Sequence, residues 1–299
     1  QAGTLGTTYS WIDCSSGNTI VSGDDTQAQI NWPFDFNYYD NSYTTANSLN
    51  VATNGFIRFD GVASTNYSAA STYNLTSTAT NLGQIIAMAV YDGKVGDNGG
   101  WVKSLVTGTE PNRIFTIEYN NLEIDYNDNR YADLQVSFYE SINKIVLKFG
   151  TDNITKSGVD MGLHSGVNDY FNKWQEVQSG TNNTWIEYTP PYVEVESTTG
   201  TSSAYYFTLK GAFDKINDGT HQGDISIKIK HSTTEPATAV LNGSEGVANY
   251  SSINIYPTET GLSISGDLTA PLIDLNGADN VTIDGRVNAT GTTKDLNII

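Results

Sequence analysis

Short runs in which apolar and polar positions alternate, separated by clusters of Gly, Asn, Asp and Ser, fill residues 1–188. A period of two puts every second side chain on one face of a strand. Leu49 and Val51 alternate with polar or small neighbours, Phe56, Ile57 and Phe59 follow, and Asn54-Gly55 lies between them. That dipeptide predicts two antiparallel strands joined by a tight turn, whose central residues need positive φ. Trp32, Phe34, Phe36 and Tyr38 fall on one face at the same period. Ile85–Val90 is a continuous apolar run, the pattern of a strand buried on both faces. Residues 101–107 and 113–119 read as strands, the second with Ile114, Thr116 and Glu118 on one face and Phe115, Ile117 and Tyr119 on the other. Residues 132–139 and 144–149 form a further hairpin, and 159–163 and 184–188 complete a set with the spacing of a β-sandwich. Residues 60–82, rich in Ser, Thr and Asn, read as a long surface loop.

The pattern changes after Thr189-Pro190-Pro191, where proline cannot donate to a ladder. One short strand follows at 192–196, and Ser197–Ser203 reads as a linker. Tyr206, Leu209, Ala212, Phe213 and Ile216 have helical spacing, with Thr208 placed to cap the start and Gly219 just past the end. This predicts a helix over 207–217. Beyond it come very short apolar runs at 225–229, 253–255, 262–264, 272–275, 281–283 and 296–298, two of them stopped at Asn276-Gly277 and Asp284-Gly285. Short strands with frequent corners suit a solenoid whose coils stack their inward residues. The pattern is still running at residue 299, which implies a chain continuous with further C-terminal domains.

Composition narrows the classes of function. A formal charge of −18 over 299 residues would repel phosphate backbones, so nucleic acid is not an expected partner. No apolar run approaches the ~20 residues of a membrane span, so no membrane insertion is expected. A single cysteine, Cys14, rules out an intrachain disulfide. The three histidines have no metal-type spacing, and no Gly-x-Ser-x-Gly elbow occurs.

Four phrases, in order and spacing, resemble the nidogen-like β-sandwich domains of secreted bacterial proteins: Pro33–Tyr39, Val51–Phe59, Pro111–Tyr119, and Phe138-Tyr139-Glu140 with Lys144-Ile145. Two more, Leu209–Thr220 and Leu272–Gly285, resemble the start of the right-handed parallel β-helix regions of very large Bacteroidetes cell-surface proteins, among them gliding and surface adhesins. The resemblance implies a helix capping the β-helix and export to the cell surface by the type IX route. It implies no catalytic residue. The expected fold is thus all-β. An antiparallel β-sandwich spans 1–189 and a linker 190–203, and residues 204–299 form a capping helix and the first coils of a right-handed parallel β-helix.

Two acidic loops are candidate calcium sites, one at Asp92 and Asp97 and one at Asp125, Asn127, Asp128 and Asp133. Calcium takes several oxygens from a flexible loop. Neither loop has the EF-hand pattern, and the plainer reading of both is solvated turns. Tyr170, Phe171 and Trp174 are candidate ligand-binding residues on a loop, since exposed rings stack on sugar faces; the plainer reading is a packed loop. Asp274 and Asp284, at the ends of successive strands, are the carboxylates a β-helix glycosidase would pair, against the plainer reading of corner Asp beside Gly. Lys228 and Lys230 are candidate lyase bases, though alternation makes them the solvent face of a strand. The leading expectation is a non-enzymatic adhesion module at the N-terminal end of a secreted cell-surface protein, binding a polysaccharide or a solid surface. The alternatives are a carbohydrate-active β-helix enzyme with an accessory sandwich, and a structural spacer.

Overall fold

The computed structural model describes residues 2–38, 41–59, 84–126, 129–140, 142–152, 160–165, 171–176 and 183–299. The chain divides into two compact units, Gln1–Thr189 and Pro190–Ile299.

Among the described residues the first unit has a two-stranded sheet, Phe36–Tyr38 with Asn41–Tyr43, and two large antiparallel ones. One runs in the order Ala2–Thr4, Thr184–Tyr188, Lys144–Asp152, Tyr131–Tyr139, Ile114–Glu123. Ile114–Glu123 pairs on its other side with Trp101–Thr107 and, at Glu123, with Lys94–Val95; Asn18–Val21 and Gly23–Asp24 lie beyond these. The other sheet runs Phe171–Glu176, Asp160–Ser165, Gln84–Val90, Phe56–Arg58, Ser48–Ala52, Gln27–Asn31. Their facing side chains form one core: Leu49, Val51, Ile57, Ile86 and Met88 from the second sheet meet Ile117, Tyr119, Leu134, Val136, Phe138 and Leu147 from the first. This sandwich-like arrangement is what alternation predicts, because the inner face of each sheet supplies most of the large apolar groups. The Tyr119 hydroxyl, inside that core, donates to the carbonyls of Ala52 at 3.0 Å and Phe56 at 3.3 Å, tying one sheet to the other. Every residue of Gln84–Val90 is buried, as its apolar run predicts.

Trp32, Phe34, Phe36 and Tyr38 all lie in the core, with Trp32 stacked on Phe36 at 5.1 Å and edge-on to Phe138 at 5.0 Å. They do not share one strand, however. Gln27–Asn31 ends before Trp32, and a new strand begins only at Phe36, because Pro33 lacks the N–H a ladder requires. The Asn54-Gly55 turn joins Ser48–Ala52 to Phe56–Arg58 as expected. It has three residues rather than two, since Ala52 faces Phe56, and only Gly55 takes positive φ, at +75°. The proposed surface loop, 60–82, lies outside the described residues.

The second unit begins with a correction. Residues 190–203, expected as a linker, contain the strand Val193–Gly200, which turns at 201–202 into Ser203–Tyr206 and pairs with it. Val193 and Val195 are buried while Ser, Thr and Gly occupy the outer half of the strand. The composition of a linker therefore belongs to a half-exposed hairpin. Val193–Gly200 also pairs antiparallel with His221–Ile229. From there the named strands pair in parallel, with isolated antiparallel bridges at Asn242–Gly277 and Arg286–Lys294. His221–Ile229 pairs with Tyr250–Pro257 and that with Val281–Ile283; Thr233–Thr234 with Ser263–Ser265 and that with Asn297–Ile298; and Ala239–Asn242 with Ile273–Asn276. Like residues stand in register, as with Ile225, Ile253 and Val281, or Ile227, Ile255 and Ile283. Asn276 donates through its side chain to the side chain of Asn242 at 3.1 Å.

The helix spans Leu209–Asn217 and buries Leu209, Ala212, Phe213 and Ile216. Thr208 caps it, its hydroxyl accepting from the Gly211 N–H at 3.0 Å, and Gly219 follows at φ +80°. Asn217, its last residue, donates to the Val240 carbonyl and accepts from the Asn242 N–H. One side chain thereby satisfies part of the open edge of Ala239–Asn242. Among the described residues this is the one α-helix, and no helix is long and apolar enough to cross a membrane.

Candidate functional site

Three loops at one end of the sandwich assemble the densest group of acidic side chains. Lys94 pairs with Asp24 on one side and with Glu123 on the other, and the Tyr126 N–H donates to the Asp92 carbonyl at 2.8 Å. The two acidic loops, separate in sequence, are thus neighbours. The carboxylates that meet are those of Asp24, Asp25 and Asp92, with an oxygen of each within 4.8 Å of the others. Asp25 adopts φ +49° and its carboxylate accepts from the Asn54 side chain at 3.0 Å. Asp24 Oδ1 is shielded from solvent and receives no hydrogen bond. Burial, then the charges of Asp25 and Asp92, hold the Asp24 carboxyl above its ordinary range, and Lys94 opposes them in part. These three groups are where a divalent cation could be held, supplying part of the about six to eight oxygens that calcium takes.

The calcium residues expected from sequence are only partly in this group. Asp92 belongs to it. Asp97 is exposed and pairs with Lys94 at 2.6 Å. Asp125 lies near the group, beside Tyr126, but not in it. Asp133 accepts from the Asn120 side chain at 3.3 Å and the Asn121 N–H at 2.9 Å, and so holds the bulge where register shifts between Tyr119 and Leu122. Asn127 and Asp128 lie outside the described residues. Sequence reasoning missed Asp24 and Asp25, whose turn is legible but whose partner Asp92 comes from a different loop.

For the aromatic candidates the structure replaces a loop with a strand. Phe171–Glu176 is the edge strand of its sheet and pairs with Asp160–Ser165. The shift between Met161 facing Gln175 and Gly162 facing Lys173 leaves Trp174 as the extra residue of a bulge. Tyr170 lies outside the described residues. Trp185 is buried and donates to the Thr4 carbonyl at 3.1 Å, while Lys103 lies over the ring of Trp101.

Of the groups that acid–base chemistry would use, Asp284, Lys228 and His221 are engaged elsewhere. Asp284 accepts from the Arg286 guanidinium at 2.6 Å and the Arg286 N–H at 3.0 Å, contacts that hold its carboxyl down at about 2. Asp274 is exposed. Lys228 lies 2.7 Å from Glu196 and 3.7 Å from Glu194. Burial would lower its pKa, but these carboxylates raise it on balance, the reverse of what a general base needs. His221 is fully buried, with Nδ1 2.7 Å from the Thr201 carbonyl and Nε2 2.6 Å from the Tyr206 hydroxyl. Nδ1 therefore donates, and Nε2 accepts from Tyr206.

No curated protein and no solved structure matches the chain. A family model described as NIDO-related, that is nidogen-related, matches residues 2–209, which takes in the whole sandwich and the hairpin that opens the second unit. With the sandwich-like sheets in place over most of that span, the chain belongs to the nidogen-related family.

Proposed function

We propose that the chain is a non-catalytic recognition module of a secreted cell-surface protein, in which the nidogen-related sandwich makes contact with a polysaccharide or a solid surface. The stack of parallel strands in the second unit carries this reading. Its residues repeat in register from strand to strand, which adds rungs to a scaffold rather than walls to a pocket. We read it as the first coils of a right-handed parallel β-helix, capped by Leu209–Asn217. Parallel pairing of the strands from His221–Ile229 onward and the Asn242–Asn276 side-chain ladder favour this. Leu275, Ile283 and Ile298 are exposed, although the residues they pair with, Leu241, Ile255 and Ile264, are wholly buried. They continue the columns of apolar residues that the parallel register stacks. Export by the type IX route rests on the sequence resemblance alone.

The enzyme reading has less support. A glycosidase acid needs a raised pKa, and Asp284 is held low by Arg286. A structural spacer remains the second alternative. The test applies the full chain to a glycan array and to solid surfaces, beside a reducing-sugar assay. Expected are binding without sugar release and weaker binding on Phe171→Ala and Trp174→Ala. Sugar release abolished by Asp274→Asn or Asp284→Asn would establish the enzyme instead. Unaltered binding after removal of residues 1–189 would make the sandwich a spacer.

A further inference from the structure

Glu118, Gln135 and Lys148 stand directly opposite one another on three adjacent antiparallel strands. Their neighbours Ile117, Tyr119, Leu134, Val136, Leu147 and Phe149 point into the core, so this row lies on the outer face of the sheet. It is nevertheless buried, at 3%, 0% and 1% exposure. The N-terminal segment covers it. Trp11 Nε1 donates to Glu118 Oε1 at 3.0 Å and the Cys14 N–H to Glu118 Oε2 at 2.8 Å. The Ile12 N–H donates to Gln135 Oε1 at 3.2 Å, and Gln135 Nε2 donates back to the Ile12 carbonyl.

Lys148 is the misfit of the row. Its Nζ makes a single hydrogen bond, to Ser137 Oγ at a long 3.3 Å, and no carboxylate comes within ion-pair distance of it among the described residues. A desolvated ammonium with so little compensation is costly. Burial brings the amine down to about 8, so a free-base fraction is present near neutral pH, and burial also lifts Glu118 above the ordinary carboxylate range. The amide of Gln135 is the group directly across from it.

We propose that Lys148 and Gln135 join in an intramolecular isopeptide bond between Nζ and Cδ, with Glu118 as the proton carrier. The Nζ lone pair attacks Cδ, and the charge that builds on Oε1 is met by the Ile12 N–H, which already points at that oxygen. As Nζ closes on Cδ it comes to the amide that Glu118 faces from the neighbouring strand, and there Glu118 takes a proton from Nζ and delivers it to Nε2. The Cδ–Nε2 bond breaks and ammonia leaves, so one amide replaces another. Nothing is oxidised or reduced, and no co-reactant enters. Directly opposite positions hold their Cβ atoms within ~5.5 Å, a span that a lysine and a glutamine side chain can bridge. The product removes the buried charge and staples adjacent strands. Cys14 is the other nucleophile near this amide, but burial and Glu118 push its thiol up to about 12, away from the reactive thiolate.

Peptide mass mapping of the folded wild-type chain tests this. Intact mass does not suffice, because an N-terminal glutamine such as Gln1 also loses ammonia on cyclising. The expected result is one branched peptide containing both Gln135 and Lys148, lighter by one ammonia than its two linear parts. It is absent from Lys148→Met, absent from folded Glu118→Gln, and retained in Cys14→Ala. Separate linear peptides of unaltered mass from the folded wild type would overturn the proposal. So would an ammonia loss at Gln135 that survives Lys148→Met and disappears in Cys14→Ala, which would be a thioester.

Discussion

At Gly55 a single missing Cβ decides how two strands meet. The residue sits at φ +75°, and a Cβ there would lie 2.2 Å from the Ala89 carbonyl oxygen. Its own carbonyl accepts from the N–H groups of Met88 and Ala89 at 2.8 and 3.2 Å. Positive φ alone would cost a β-branched residue ~1–2 kcal/mol. The backbone clash adds to this, so Gly55→Val is expected to destabilise by about 3 kcal/mol or more in urea unfolding. A loss confined to turn strain would show that the neighbouring strand yields. Asn54-Gly55 announced the turn in sequence, but the approach of Ala89 is tertiary and leaves no local signal. Asp24 gives the opposite sign. Its folded pKa is raised, so its ionised form weakens the fold above its ordinary pKa and the protonated form does not. With chelator present at neutral pH, Asp24→Asn is therefore expected to raise the unfolding midpoint, by a few tenths of a kcal/mol for a half-buried group beside solvent. A lower midpoint would mean that the carboxylate is serving as an acceptor or ligand.

The helix Leu209–Asn217 shows which part of an element its sequence declares. Thr208 and Gly219 are boundary signals, and the apolar spacing marks the buried stripe. The stronger cap comes from elsewhere. Glu235, 2% exposed, accepts from the Leu209 N–H at 2.9 Å and the Lys210 N–H at 2.8 Å. A carboxylate on the first N–H groups of a helix satisfies orphan donors and complements the dipole. Glu235→Ala leaves two donors without partners and is expected to cost about 2–3 kcal/mol, against about 1 kcal/mol for Thr208→Ala. Equal losses in guanidinium unfolding would demote Glu235 to a packing role. Nothing in a window around residue 209 points to residue 235; only the folding back of the chain brings the carboxylate there. The hairpin over 193–206 was hidden for another reason. A short strand at 192–196, with Val193 and Val195 inward, is legible, but the Ser, Thr and Gly residues beyond it occupy exposed strand positions, where composition resembles a linker.

Across the whole molecule, a formal charge of −18 makes carboxylates the dominant titrating groups, yet the window just below neutrality belongs to the histidines. Both described imidazoles lie in Pro190–Ile299. His221 is held below its ordinary pKa by burial, against the Thr201 carbonyl and the charge of Asp218. His231, edge-on to Tyr192, is brought down to about 4 by burial and the neighbouring charge of Lys230. Because the folded pKa is lowered, the unfolded chain takes up protons first as pH falls. Stability is full above about 6.5 and drains away between there and the folded values. For His231 the loss across that window is on the order of 3 kcal/mol at most, and protonating His221 also deprives Tyr206 of its acceptor. Hydrogen exchange between pH 7 and 4.5, corrected for the intrinsic rate, should therefore show protection falling across His221–Ile229 and its neighbours. In His231→Phe with His221→Gln the slope should flatten. An unchanged slope in that double variant would place the acid sensitivity on other groups.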